Sequence, residues 1–183
     1  MVAVLDANVL YPASLRDFFM HLAIADATQI RWSTKIEAEW THNLIANRPD
    51  LEPSRVYRTA ARMNAALPDA MVADASHLEA HLILPDPDDR HVLATAIACK
   101  ADGIVTKNLA DFPPSTLGVY QIQVWHPDAF VVHLLESQSS RILQALFQQQ
   151  QSLKSPQQTL TELLDTLTTQ GLVKAVSLLR PLI

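Results

Sequence analysis

Cysteine is almost absent from this chain. Cys99 stands alone among 183 residues, which excludes a disulfide framework. It sits in an apolar stretch, so it reads as a small buried hydrophobe rather than a nucleophile. Glycine is scarce, with 3 residues. Neither Gly-x-x-x-x-Gly-Lys-Ser/Thr nor Gly-x-Gly-x-x-Gly occurs, which argues against a P-loop NTPase and a nucleotide-cofactor oxidoreductase. A Gly-x-Ser-x-Gly elbow is missing, so a serine hydrolase of that kind is disfavoured. His77 and His81 are spaced i, i+4 but lack the His-Glu-x-x-His pattern of zinc hydrolases. No apolar run suffices for a membrane span, and residues 1–5 have no basic lead or cleavage region. The expected compartment is the cytoplasm, without membrane contact. Positive charge is also short: 14 Lys and Arg against 19 Asp and Glu, a formal net charge of −5. That removes the global basic signature of a nucleic-acid binder. Ten of the 14 cations precede Asn108, so a local basic rim around an acidic centre is still possible.

What is present is apolar residue, at 49%. That is too much for a disordered chain and enough for one α/β domain with a helical extension. The expected division is residues 1–135 for the α/β domain and 136–183 for the extension, where Gln, Ser, Thr and Leu take over. The extension is expected to hold amphipathic helices at 141–150, 160–169 and 172–179, punctuated by Pro156 and Gly171. Their apolar stripes could pack on the main domain, a second copy or a partner.

Residues 2–5 form a run without alternation, as in a buried parallel strand. It ends at Asp6-Ala7-Asn8, and ligands of open α/β sheets bind beyond strand carboxyl ends. Asp6 is therefore either a site residue or a turn cap. Ser14 and Asp17 suggest a capping box for a helix to about residue 27. Ser33 or Thr34 caps a further helix carrying Glu37 and Glu39. These two project about 200° apart, so at most one faces a given cleft. The next helix, about 53–67, carries Arg55, Arg58 and Arg62 on one face. That face is either solvated or a rim for a polyanion's phosphates.

The densest signal lies at 84–111. Asp86, Asp88 and Asp89 surround Pro87 ahead of an alanine-rich helix that Asp102-Gly103 ends. Strand 104–106 follows, then a polar turn with Asn108 and Asp111. Pro113-Pro114 reads as a rigid loop, residues 119–125 as an edge-like strand, and Pro127 as the start of a helix through 135. If Asp6, Glu39, Asp89 and either Asn108 or Asp111 meet at one sheet edge, their charges conflict. A hard divalent cation such as Mg²⁺ or Mn²⁺ removes the conflict and suits phosphodiester hydrolysis. Asp88 and Asp89 also fit helix capping. His91, one turn into the helix, is a cleft or surface residue, and Thr106 could hold Asp6.

Three segments together resemble the PIN-domain ribonucleases, of the kind found as toxins in bacterial type II toxin–antitoxin pairs. They are Val4-Leu5-Asp6-Ala7-Asn8, Asp86-Pro87-Asp88-Asp89-Arg90-His91-Val92-Leu93-Ala94 and Ile104-Val105-Thr106-Lys107-Asn108-Leu109-Ala110-Asp111-Phe112-Pro113. Trp32-Ser33 followed by Glu39 resembles the family's second acidic position. The resemblance implies a three-layer α/β/α fold around a parallel sheet. It also implies RNA cleavage dependent on Mg²⁺ or Mn²⁺, with one or two ions. Asp6, Glu39, Asp89 and Asp111 would be catalytic, with Asp6, Asp89, Asn108 and Asp111 as metal ligands. Asn8, Asp86, Asp88, His91 and Thr106 would be supporting or alternate positions. Arg55, Arg58, Arg62, Arg90 and Lys107 would form the substrate rim. Asn108 departs from the family pattern, which commonly has an aspartate there. The resemblance further implies an antitoxin partner and a homodimer. Two other functions compete: a catalytically weak module that binds RNA or antitoxin, and a DNA or flap nuclease.

Overall fold

A computed structural model describes residues 1–153 and 157–183; Pro156 lies outside the described residues. Five parallel strands form the centre: β1 (Val2–Leu5), β2 (Gln29–Ser33), β3 (Met71–Val72), β4 (Gly103–Val105) and β5 (Gln123–Trp125). Their order is β3-β2-β1-β4-β5. From β1 the chain builds outward to β2 and β3, then crosses to the other side of β1 for β4 and β5. The order therefore reverses between β1 and β4. In open α/β sheets, that is where the crevice for a ligand opens. The pairing sets Leu5 against Val105. The residues that follow each strand, Asp6 and Thr106, thus become neighbours although 100 positions separate them.

Parallel strands need both faces covered. The flanking helices are α1 (Ala7–Leu10), α2 (Ala13–Ile24), α3 (Thr34–Asn47), α4 (Pro53–Ala66), α5 (Ser76–Glu79), α6 (Arg90–Ala98) and α7 (Pro114–Leu117). The last three are α8 (Pro127–Ser152), α9 (Leu160–Thr169) and α10 (Val173–Leu179). The resulting helix-flanked parallel sheet is the α/β/α architecture expected from the sequence. α6 packs across β1, β2 and β4, while α2 packs on α8 and β2. Trp32, Trp40, Phe18, Phe19, Phe112 and Phe130 are fully buried in the core between these layers.

Several local expectations change. α2 starts at Ala13 after Pro12, with no side-chain cap, so Ser14 and Asp17 make no capping box. Asp17 instead lies beside His21, at 3.9 Å. Pro114 opens a short helix rather than a loop. The expected strand at 119–125 shrinks to Gln123–Trp125. Residues Gly118–Tyr120 form a 3₁₀ turn, and Gln121 takes φ 59°, which no strand tolerates. α6 ends at Ala98, and Lys100 takes the left-handed position after it. Gly103 lies instead inside β4, where a Cβ would meet Trp125 Cδ1 at 3.0 Å. Cys99 is half-buried, not fully enclosed.

α8 joins two expected helices, with a single non-helical residue at Gln138. The helices after it pack on the chain itself. Leu163, Leu164, Leu167, Leu172 and Leu179 are fully buried, against α8 and α2 among others. The Asp128 carboxylate on α8 accepts from the Lys174 and Ala175 amides at 3.1 and 2.8 Å. It thereby satisfies free N–H groups at the start of α10. Thr159 and Glu162 form the capping box that starts α9.

Candidate active site

The cleft at the strand-order reversal is built from four chain segments. β1 delivers Asp6, which is 3% exposed. Its amide donates to the Val105 carbonyl at 3.0 Å, so the backbone pairing continues one residue beyond the strand. Thr106, fully buried, donates its hydroxyl to Asp6 Oδ2 at 2.6 Å. Asn8 Nδ2 donates to the same oxygen at 2.6 Å and to Thr106 Oγ1 at 2.9 Å. Asn8 Oδ1 accepts from the Lys107 amide, and Thr106 Oγ1 from the Asn108 amide. This network clamps the start of α1 to the end of β4 and fixes one Asp6 oxygen. Burial pushes the Asp6 pKa up, and nearby Glu39 adds to this. The Thr106 hydroxyl and the Ala7 and Asn8 amides work in the opposite direction.

The segment before α6 delivers the next carboxylates. Pro87–Asp89 is a 3₁₀ turn, and Asp86 caps it through the Asp88 amide at 2.9 Å. The turn places Asp86 and Asp89 on the cleft side. Each offers an oxygen that lies, with one from Asp111, within 4.8 Å of the others. Asp111 comes from the 3₁₀ turn Leu109–Asp111 after β4. Asp88 is outside this group, and its carbonyl accepts from His91 Nδ1 at 2.7 Å. Asn108 donates its side-chain amide to Asp111 Oδ2. The neutral residue at the family's usual aspartate position thus touches the aspartate three residues on.

Three carboxylates this close cannot all ionise cheaply without a cation. The Asp89 pKa is pushed up to about 7, first by burial and then by the charges of Asp6, Asp111 and Asp86. A hard divalent ion is the ligand that this oxygen donor set fits: it would neutralise the repulsion that the metal-free cluster carries. Asp6 stands next to the three and is electrostatically coupled to Asp89, but it is not one of the close triad.

α3 forms the opposing wall. Glu37 and Glu39 diverge. Glu37 accepts from Asn64 Nδ2 on α4 at 2.8 Å, while Glu39 lies 3.2 Å from His91 Nε2. This second contact is an ion pair more than an aligned hydrogen bond. Burial opposes charge on His91, but Glu39 and the Asp88 carbonyl outweigh it, so its pKa is raised. Of the expected rim, Lys107 is exposed beside the cleft and Arg90 is half-buried at the start of α6. Arg55, Arg58 and Arg62 are on α4, which packs on the α3 side, and they do not join the acidic group. The sequence makes Asp86 only an alternate to Asp89, whereas the structure sets it in the close triad; the sequence gives no role to Arg16, which is buried beside Trp40. The only signal for Arg16 was a cation set between Leu15 and Phe18 on an apolar helix face.

A buried parallel sheet with acidic side chains gathered beyond its carboxyl ends defines a PIN-like fold with a candidate nuclease site. Residues 2–110 match the family model described as "PIN domain", and the chain belongs to that family. Residues 127–181 match "VapC50 C-terminal domain", which relates the chain to VapC50-type proteins. Over 48 residues it is 50% identical to the Mycobacterium tuberculosis protein named "Putative ribonuclease VapC50". That match covers 26% of this chain and 28% of the relative, so the chain aligns with under a third of the relative's length. No solved structure matches the chain significantly. Among the described residues, no helix is long and apolar enough to cross a membrane.

Proposed function

We propose that this protein is a metal-dependent endoribonuclease that hydrolyses RNA phosphodiesters, and that it is the toxin of a toxin–antitoxin pair. The observation that carries this reading is the crowding of Asp86, Asp89 and Asp111 within 4.8 Å beside the buried Asp6. Membership of the PIN-domain family supports the nuclease chemistry. The likeness to VapC50 supports the toxin role, an antitoxin partner and RNA as substrate. The same reading takes the chain as cytoplasmic and as a homodimer, with residues 1–135 as the nuclease unit and 136–183 as its helical extension.

When bound, Mg²⁺ or Mn²⁺, as one ion or two, supplies Lewis-acid stabilisation for the charge that builds on the phosphoryl oxygens. Asp6, Asp89 and Asp111 are the assigned ligands, with Asp86 joining them from the same turn as Asp89. Thr106 and Asn8 orient Asp6, and Asn108 orients Asp111 through its amide. Glu39, held by His91, faces the cleft from α3 and is the carboxylate free of the cluster that can accept a proton from the attacking water. Lys107 and Arg90 flank the entrance, where they favour an approaching phosphate.

The purified chain is expected to cleave single-stranded RNA with Mn²⁺ or Mg²⁺ and to stop on chelation. Asp6→Asn and Asp89→Asn should each abolish cleavage while the far-UV circular dichroism is unchanged. Activity retained in both variants would sink the assigned site. RNA binding without turnover in Mn²⁺ would favour a binding module, and preference for a DNA flap over RNA would reassign the substrate.

A further inference from the structure

A feature of opposite charge begins one helical turn from Asp6. α1 starts directly after Asp6, and Tyr11 at its end lines a recess of about 430 Å³ between α2, α3 and α4. A second recess of about 450 Å³, between α2, α4 and the end of α8, shares Ala13, Arg16 and Thr59 with it. A third, of about 320 Å³, is lined by Arg55, Arg58, Thr59 and Arg62 and overlaps both. Together they form one groove along α4.

The groove's cations are short of anions. Arg55, Arg58 and Arg62 are exposed, and none makes an ion pair among the described residues. Arg16, only 9% exposed, forms part of the wall of two recesses. Its Nη1 donates to the Leu10 carbonyl at 2.6 Å and the Tyr11 carbonyl at 3.3 Å, and its guanidinium lies 4.6 Å from the Trp40 ring centroid. None of these hydrogen-bond and aromatic partners is an anion, and the nearby Asp17 carboxylate offsets only part of the effect of burial. Burial pushes the Arg16 pKa down to about 10, which leaves it charged at neutral pH. Two carboxylates face the groove or its edge: Asp17, and Asp50, which is already paired with Arg48 at 2.7 Å. Three exposed guanidiniums without ion-pair partners, on a chain of net charge −5, are a local reversal of sign, and the short α1 joins the Tyr11 end of the groove to Asp6.

We propose that the groove between α2 and α4 binds the phosphodiester backbone of single-stranded RNA, with Arg55, Arg58 and Arg62 on the phosphates and Arg16 supplying charge from the floor. The inference rests on the ribonuclease reading, which requires a strand to continue past the cleft on one side. Arg55 and Arg62 are about 10 Å apart along the helix axis. A single row of that length follows one backbone, and planar guanidiniums suit phosphate oxygens. Reading by phosphate contact alone carries no base preference.

The test is fluorescence anisotropy of a labelled oligouridylate of about 12 nucleotides with the full chain in excess EDTA, over a salt series. Wild type should bind, with log Kobs falling as log salt rises. The triple variant Arg55→Ala, Arg58→Ala, Arg62→Ala should bind about tenfold more weakly and flatten that slope by about 2, since each single-strand phosphate contact contributes about 0.7. Its circular dichroism should be unchanged, because alanine suits exposed helix positions. Equal affinity and slope in the two proteins, or no binding by wild type, would overturn the proposal. If the triple variant loses an oligoglutamate peptide but keeps RNA, the occupant is an acidic polypeptide and the proposal also falls. EDTA separates this result from cleavage. RNA held through the arginines but never cut in Mn²⁺ would defeat the ribonuclease reading and leave the groove assigned.

Discussion

Asp89→Asn should move stability in opposite directions depending on whether metal is present. In the metal-free protein the Asp89 pKa stands at about 7 against an ordinary value of 3.8. Because the folded state holds the proton more tightly than the unfolded one, stability falls as pH rises from about 4 through about 7. The full shift corresponds to a ceiling of roughly 4 kcal/mol. Asp89 is only half-buried, so solvent screening reduces this to roughly 1–2 kcal/mol. Asparagine carries no charge at any pH and removes the penalty. In EDTA near pH 8.5 the variant should therefore melt about 2–8 °C above wild type, a range expected for a chain of this size. Well below pH 3.8, where Asp89 is protonated in both folded and unfolded chains, the advantage should vanish. Adding Mn²⁺ at about 100 times its dissociation constant should stabilise wild type by roughly 2.7 kcal/mol and the variant far less. Calorimetry at the two pH values, with and without Mn²⁺, reads all four states. Equal destabilisation of the variant at both pH values would refute the repulsion argument. Equal stabilisation of both proteins by Mn²⁺ would refute Asp89 as a ligand.

Other substitutions probe the supports of the cleft. Thr106→Val keeps shape but removes the oxygen that joins Asp6, Asn8 and the Asn108 amide; urea unfolding should show a loss of about 1–3 kcal/mol. Glu39→Gln removes the main charge that raises the His91 pKa, so the His91 ring should titrate at lower pH than in wild type when followed by NMR in EDTA. By the same linkage, the stabilising Glu39–His91 pair is fully present below the unfolded histidine pKa and is lost as pH rises through the raised folded value. Gly103→Ala places a methyl 3.0 Å from Trp125 Cδ1 and 3.1 Å from the Gln123 carbonyl; an overpacking cost of about 1–3 kcal/mol should appear in the melting temperature.

The strands and helices that bear the cleft are legible because their signals are local. An apolar run without alternation at 2–5, alanines and a capping turn at 86–98, and β-branched residues at 104–106 each announce an element within a few residues. Their order along the chain carries the PIN-domain resemblance. The misread stretches are those where a local signal had a different tertiary use. Gly103 looked like a helix stop, yet its missing Cβ makes room for Trp125. Asp17 looked like a cap, yet it lies beside His21. Residues 119–125 have strand-like composition, but a left-handed Gln121 leaves only the last three paired.

By itself the sequence determined the class of the protein: an α/β chain with acidic residues at strand ends and helix starts, and without the glycine, cysteine or histidine motifs of other chemistries. Local pattern suffices for that, because periodicity and capping act over a few residues. Which carboxylates meet was decided only by tertiary structure. The pairing of β1 with β4 sets Asp6 beside Thr106, the 3₁₀ turn at Pro87 brings Asp86 to Asp89 and separates Asp88, and the turn at Leu109 carries Asp111 in while Asn108 becomes its donor. The same holds for Arg16, whose guanidinium meets the Leu10 carbonyl and the Trp40 ring only after α1, α2 and α3 come together. Distances between segments far apart in the chain depend on strand register and helix packing, and no local pattern encodes them.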